Sequence, residues 1–308
     1  MFKSSFFRLS FTAIALLIVG CGVSKKSVIG IGQKSLLQSF EIIADLDLEI
    51  TETSGLESYN GNLITHNDSD AAPMIYFLDT SGTILSQVKF DQLKNTDWED
   101  IAKSDTHLFI ADIGNNYGYR KDLVIYKIAL EDIKNASAQS ELIELEYSAQ
   151  NVFEKRNQKH SFDGEAIVYA KDQLYLFSKD WSRFSTDVYL LNQQKGKQNL
   201  VSNQNIPVNG LVTGATFNGK SRIVLCGYNS GLQPFVAVLK LNEDRKLELI
   251  ERIDLPIKNG AQIEAITYFE TIGNQEIYYL TSEAVNIKLG EDEATTNGQL
   301  YKMSLKIE

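Results

Sequence analysis

The chain has 308 residues, 43% hydrophobic and 23% charged, the composition of a folded globular protein rather than a disordered one. Its 30 Lys+Arg against 40 Asp+Glu give a formal net charge of -10, which excludes a general nucleic-acid binder and a protein held to anionic membranes by charge. Two cysteines exclude a disulfide scaffold and a four-cysteine zinc site. Three histidines (His66, His107, His160) argue against a three-histidine zinc centre, because every one would have to be a ligand.

The first twenty residues read as an address. Lys3 and Arg8 make a positive start, and residues 11–19 an apolar run too short to span a bilayer. Ile18-Val19-Gly20-Cys21 resembles a bacterial lipobox, in which the cysteine is acylated and becomes the mature N-terminus. The expectation is a signal peptide over 1–20, a lipidated tether over 21–35 with its lipid on Cys21, and one folded domain over 36–308. Losing Lys3 and Arg8 moves the net charge from -10 to -12 and leaves Cys226 as a lone thiol. The product is expected in the cell envelope outside the cytoplasm, on the outer membrane in preference to the inner. It would touch lipid only through the anchor.

Beyond residue 35 the chain is a succession of short apolar, β-branched or aromatic runs between polar turns, the pattern of an all-β protein. One motif recurs five times: Ser54-Gly55-Leu56-Glu57, Glu99-Asp100-Ile101-Ala102, Glu165-Ala166-Ile167-Val168, Gly214-Ala215-Thr216-Phe217 and Glu264-Ala265-Ile266-Thr267. The intervals are 45, 66, 49 and 50 residues. Second runs follow from Leu63, Leu108, Leu174, Ile223 and Ile277, and third runs from Ile75, Val124, Val188, Val236 and Leu300. Fourth runs stand at 84–90, 142–147, 200–205 and 247–255. Asn60-Gly61 and Asn218-Gly219 are tight-hairpin dipeptides. Four antiparallel strands repeated in this way predict a five-bladed β-propeller. The fifth unit has only three strands, and segment 39–48 is expected to supply its fourth and close the ring. Six blades is the alternative, if the long second interval hides one.

In a propeller the first strand of each blade lines a central channel, which puts Ser54, Glu99, Glu165 and Glu264 around one opening. The second strands end in polar residues on the same face, including Asp68, Asp112, Asn115, Lys179, Asp180, Tyr228 and Glu283. The extra length of the second interval (115–122 and 150–163) and the acidic stretch Glu291-Asp292-Glu293 also fall there, so one face carries the elaboration. Converging carboxylates repel and lose solvation, and a hard cation resolves both costs. Oxygen ligation from Ser54, Glu99, Glu165 and Glu264 suits Ca²⁺ better than zinc. The alternative is that these glutamates cap backbone groups of neighbouring strands. Arg120 is either an anion clamp at the mouth, with Lys179 and Arg183, or the partner of Asp112 in a loop-ordering salt bridge. Trp98 is expected to pack between blades, and Trp181 to be available for stacking on a ligand. Ser54-Gly55 is no nucleophile elbow, and Gly214 lies in no phosphate loop.

The ring of Ser54, Glu99, Glu165 and Glu264 resembles that of the calcium-activated nucleotidases (apyrases), as do Asn60-Gly61-Asn62-Leu63 and Trp98-Glu99-Asp100-Ile101-Ala102. That resemblance implies a five-bladed propeller with calcium held by Ser and Glu of successive inner strands. The chain departs from the family at Gly55, where an acidic residue is expected, and at Thr213-Gly214, where a serine is expected. Its first mouth loop, His66-Asn67-Asp68-Ser69, carries no arginine. Asp97-Trp98-Glu99-Asp100-Ile101 and Asp163-Gly164-Glu165-Ala166-Ile167 resemble equally the SdiA-regulated and phytase-like esterase propellers. The expected function is a lipid-anchored, monomeric propeller binding a small anionic or polyhydroxylated ligand. If it hydrolyses a phosphate ester, Asp68, Asp112 or Asp180 would position water, and Arg120 and Lys179 would stabilise charge. The competing class is a non-catalytic envelope scaffold recognising a protein or glycan.

Overall fold

The computed structural model describes residues 35–307 apart from 70, 157, 258–260 and 290–291. The expected signal peptide, Cys21 and almost all of the tether lie outside the described residues, as does Glu291 of the acidic stretch. Strand β1 (Leu37–Asp45) comes first in the chain and pairs last. The first blade is β2 (Thr53–Tyr59), β3 (Asn62–Asn67), β4 (Met74–Leu78) and β5 (Ile84–Lys89). The second is β6 (Trp98–Lys103), β7 (His107–Asp112), β8 (Val124–Ala129) and β9 (Ser140–Tyr147). The third is β10 (Gly164–Ala170), β11 (Gln173–Ser178) and β12 (Thr186–Leu191), then, after β13 (Gly196–Leu200), its outer strand β14 (Ser202–Ile206). The fourth is β15 (Leu211–Phe217), β16 (Arg222–Tyr228), β17 (Pro234–Leu241) and β18 (Leu247–Asp254). The fifth opens with β19 (Ile263–Ile272) and β20 (Gln275–Ser282). A hairpin of β21 (Val285–Leu289) and β22 (Asp292–Thr296) leads to its third strand, β23 (Gln299–Lys306).

The ring closes as expected. β1 runs antiparallel to β23, from Leu37 opposite Leu305 to Asp45 opposite Gln299, and becomes the outer strand of the fifth blade. No sixth blade forms: among the described residues the stretch between β9 and β10 contains no strand.

Five apolar cores hold the blades, one at each interface between consecutive sheets. Strand β7 shows how sequence builds them. Leu108 and Ile110 enter the core shared with the first blade, and Phe109 and Ala111 that shared with the third. Successive side chains point to opposite faces, and both faces are covered. The middle strands therefore read as continuous apolar runs rather than alternating ones.

Two local expectations are corrected. Asn60-Gly61 does form the two-residue hairpin, with φ of 50° and 76°. Asn218-Gly219 does not: four residues separate β15 from β16, and the Asn218 side-chain oxygen instead accepts the backbone N–H groups of Lys220, Ser221 and Arg222. The expected fourth strand 200–205 is in fact two strands. Residues 196–200 leave the third blade and run parallel to β9, adding a fifth strand to the second blade, and only β14 pairs with β12. Leu200 is drawn into the core between these blades, while Val201, at the switch, is exposed.

Phe109→Ala, at a fully buried site, is expected to lower stability by about 3–5 kcal/mol. Ile42→Ser, 59% exposed on β1, should change it by under about 0.5 kcal/mol. Urea unfolding of the two variants checks the assignment of core and edge.

Candidate metal centre

Each of the five inner strands carries a β-bulge near its start, where the extra residues are Gly55, Glu99, Glu165, Thr213 and Glu264, and β19 has a second irregularity at Phe269. A bulge re-aims its side chain relative to the pleat. Three glutamates at equivalent bulges are therefore turned together at the start of their strands. The sequence pattern placed Ser54 in this ring and aligned Gly214 with its members. The structure shifts both by one, so the equivalent positions are Gly55 and Thr213. Ser54 sits just before its bulge and donates its hydroxyl to the Glu99 carbonyl.

Residues other than the glutamates cap the backbone groups of neighbouring strands. Thr213 donates to the Ile263 carbonyl at 2.7 Å. Asp100 accepts the Ile167 N–H at 2.9 Å, Thr216 that of Tyr268 at 2.7 Å, and Thr267 that of Ser58 at 3.1 Å. Together with Ser54, these contacts tie neighbouring inner strands. Glu99 and Glu165 are left with one oxygen each, Oε1, that is buried without a hydrogen-bond partner.

Glu99 meets two aspartates. Carboxylate oxygens of Asp68, Asp97 and Glu99 all lie within 4.8 Å of one another. Asp97 is held in place by Asp112, whose Oδ1 accepts the Asp97 N–H at 3.1 Å, while Oδ2 accepts that of Thr96 at 3.0 Å. The Asp68 carbonyl accepts from the Asn95 amide at 2.8 Å. Gly114 closes the third side: a Cβ there would stand 2.0 Å from Glu99 Oε1 and 2.4 Å from Asp97 Oδ2. Burial raises the pKa of all three acids. Asp97 is pushed up to about 7, with the charge of Asp163 adding to burial. Glu99 and Asp68 are held well above the ordinary range, first by burial and then by neighbouring carboxylates.

The rest of the mouth is acidic around one cation. Lys179 Nζ donates to Glu165 Oε2 at 2.9 Å and lies about equally far from the Trp181 and Tyr228 rings, 5.5 and 5.6 Å from their centroids. Burial pulls the lysine down, but Glu165, Tyr228, Glu264 and Asp163 outweigh it and hold it charged. Glu264 is raised to about 8 by burial and by Glu283, and Glu283 to about 7 by burial and Glu52.

Three expected ligand-binding residues are used in ordering the mouth loops. Arg120, 7% exposed, donates to Asp112 at 2.7 Å, to the Gly114 carbonyl at 2.7 Å and to Asp122 at 3.1 Å. The loop-ordering salt bridge, not the anion clamp, describes it. Asn115 accepts the Arg120 N–H and donates to the Phe162 carbonyl. Asp180 caps the turn that follows it, accepting from Ser182 and Arg183. Trp98 packs against His66 and Tyr126 between blades. Trp181 has its indole N–H on Asp163 at 3.3 Å. The sequence reading missed Asp97 and Asp163 as members of the site. Their signal is the Asp-x-Glu spacing shared by the second and third units, which puts a second carboxylate just ahead of the bulge.

In sequence, no family model matches the chain and no curated protein matches it significantly. Among solved structures, it is similar to a gluconolactonase from Xanthomonas campestris at 9% identity and TM-score 0.43, over 86% of this chain and 89% of that one. A periplasmic gluconolactonase from Pseudomonas aeruginosa is 16% identical at TM-score 0.40, over 80% of this chain and 71% of that one. A protein from Lactobacillus plantarum is 14% identical at TM-score 0.41, over 80% and 70%. Likeness at this level assigns no activity.

Proposed function

We propose that this protein is a cation-dependent binding propeller: Asp68, Asp97 and Glu99 hold one Ca²⁺ at the mouth, and the ion together with Lys179 captures the anionic group of a small ligand. The reading is carried by Glu99 Oε1, buried without a partner inside a three-carboxylate cluster. An all-oxygen, anionic donor set suits a hard cation. Three carboxylates fall short of the six to eight oxygens that Ca²⁺ takes (roughly,), which leaves positions for water and ligand oxygens. Glu165 and Glu264 act on the ion as nearby charges, and Ser54, spent on a carbonyl, leaves the ligand set.

Binding is favoured over hydrolysis. Asp112 and Asp180 have both carboxylate oxygens occupied by backbone, hydroxyl or arginine donors, so neither is free to position water. Arg120 is spent within its loop and cannot neutralise a phosphate. The same proposal keeps the protein in the cell envelope, anchored through a lipid on Cys21. It rests there on the lipobox-like Ile18-Val19-Gly20-Cys21.

Calcium at a hundredfold excess over its dissociation constant is expected to stabilise the fold by about 2.7 kcal/mol. That is a rise in melting temperature of roughly 5–10 °C. Glu99→Gln should abolish the response. Gly114→Ala should do the same by filling the cluster, since the Gly114 φ is not positive and alanine meets no backbone strain. A melting temperature indifferent to both calcium and EDTA would contradict the proposal, as would a response that survives both substitutions.

Without the ion, stability should depend on pH in a defined sense. Glu264 faces Glu283, Asp68, Glu165, Tyr228 and Lys179. Its folded pKa of about 8 lies above the 4.5 of a free glutamate. The stability linked to its proton is therefore complete below that lower value and is lost as pH rises through about 8. Glu283 adds a loss that begins above 4.5 and is complete once the pH has passed about 7. In EDTA the melting temperature is expected to fall between pH 5 and 8, and calcium to restore it; a flat or rising profile would sink the assignment.

A further inference from the structure

The channel has a second end. A cavity of about 380 Å³ lies where all five inner strands finish, on the face opposite the acidic mouth. That is within the size of small-molecule sites, about 300–1,000 Å³. Its composition differs from the mouth. Tyr169, Phe217, Tyr268 and Phe269 contribute aromatic walls, and Lys103 and Lys171 bring positive charge alongside the acids Glu57 and Asp105.

Three of the rings are braced from outside the cavity. Phe109 stacks on Tyr169 at 6.1 Å and 18°, Tyr278 meets Tyr268 edge-on at 5.7 Å and 68°, and Tyr279 meets Phe269 at 5.1 Å and 77°. The Tyr169 hydroxyl donates to Asp172 at 2.9 Å, and those of Tyr268 and Thr271 lie 2.8 Å apart. These walls are set before any ligand arrives, which spares the entropy of ordering them.

The positive charge of Lys103 acts on the Glu57 carboxyl without forming a salt bridge to it. Among the described residues neither Lys103 nor Lys171 takes part in an ion pair. Glu57 Oε1 is occupied by the Ser58 N–H at 2.8 Å and faces the Thr267 hydroxyl at 3.4 Å. At the rim, Gly219 leaves open space where a side chain would stand.

We propose that this cavity is a second binding site, for a small flat-faced ring bearing one carboxylate: the ring lies against the aromatic walls, and the carboxylate meets Lys103 and Lys171. Aromatic faces accept aryl rings by offset stacking and sugar rings by their apolar C–H faces, so the ring is either an aryl acid or a sugar acid. The site is independent of the mouth and of any ion there.

Ligand-observed NMR on the purified protein tests it, with benzoate and glucuronate as probes. One of the two is expected to bind saturably, and which one does identifies the ring. Phe217→Ala and the exposed Lys171→Glu should each weaken that binding about tenfold or more, the size of a lost charge-assisted contact. Glu99→Gln at the mouth should leave it unchanged, and circular dichroism confirms that each variant is folded. Failure of both probes overturns the site, as does binding that survives either substitution or is lost in Glu99→Gln.

Discussion

Five strands cannot meet around one axis without crowding whatever their near ends carry. Here the crowding is directed: every inner strand bulges at its second or third residue, and in three of the five that residue is a glutamate. Asp68, Asp97, Asp163 and Glu283 crowd the same volume. The raised pKa values follow from that geometry, because burial penalises each charge and the neighbouring carboxylates add to the penalty. A folded protein tolerates such an arrangement when protons or a cation neutralise it.

The surrounding structure separates holding the ring together from furnishing the mouth. The apolar work is done by five inter-blade cores, and β1 on β23 closes the circle. Hydroxyls and Asp100 tie the inner strands through backbone groups. The loop between β7 and β8 is a scaffold in its own right: Arg120 locks it to Asp112, and Asp112 in turn holds the backbone of Asp97. A charge pair 7% exposed or less on both sides is weak evidence for stability. Positioning the Asp97 carboxylate is the better account of it. Gly114 lies between, with no atom where Glu99 and Asp97 need room.

Most of the architecture was legible because propeller strands repeat and the middle strands are buried on both faces. Blade number, closure by the N-terminal strand and the polar face all followed from runs such as Leu108–Ala111. The exchange of residues 196–200 to the neighbouring blade was not legible, since Gly-Lys-Gln-Asn-Leu carries no period that favours one sheet over another. The site was half legible. Glu99, Asp68 and Lys179 stood out in the sequence, but a bulge adds a residue without leaving a mark there, so the repeat motif was aligned one position off at Ser54 and Gly214. Arg120 and Asp180 stayed ambiguous for a related reason: a polar residue near a mouth looks the same in sequence whether it faces the opening or caps its own loop. Only geometry separates the two.

The central claim concerns one place, between Asp68, Asp97 and Glu99. A crystal of the purified protein grown with calcium addresses it directly. The account predicts a density peak there with oxygens of all three carboxylates at about 2.3–2.6 Å. No peak at that place, or an ion ligated by other residues, would contradict it.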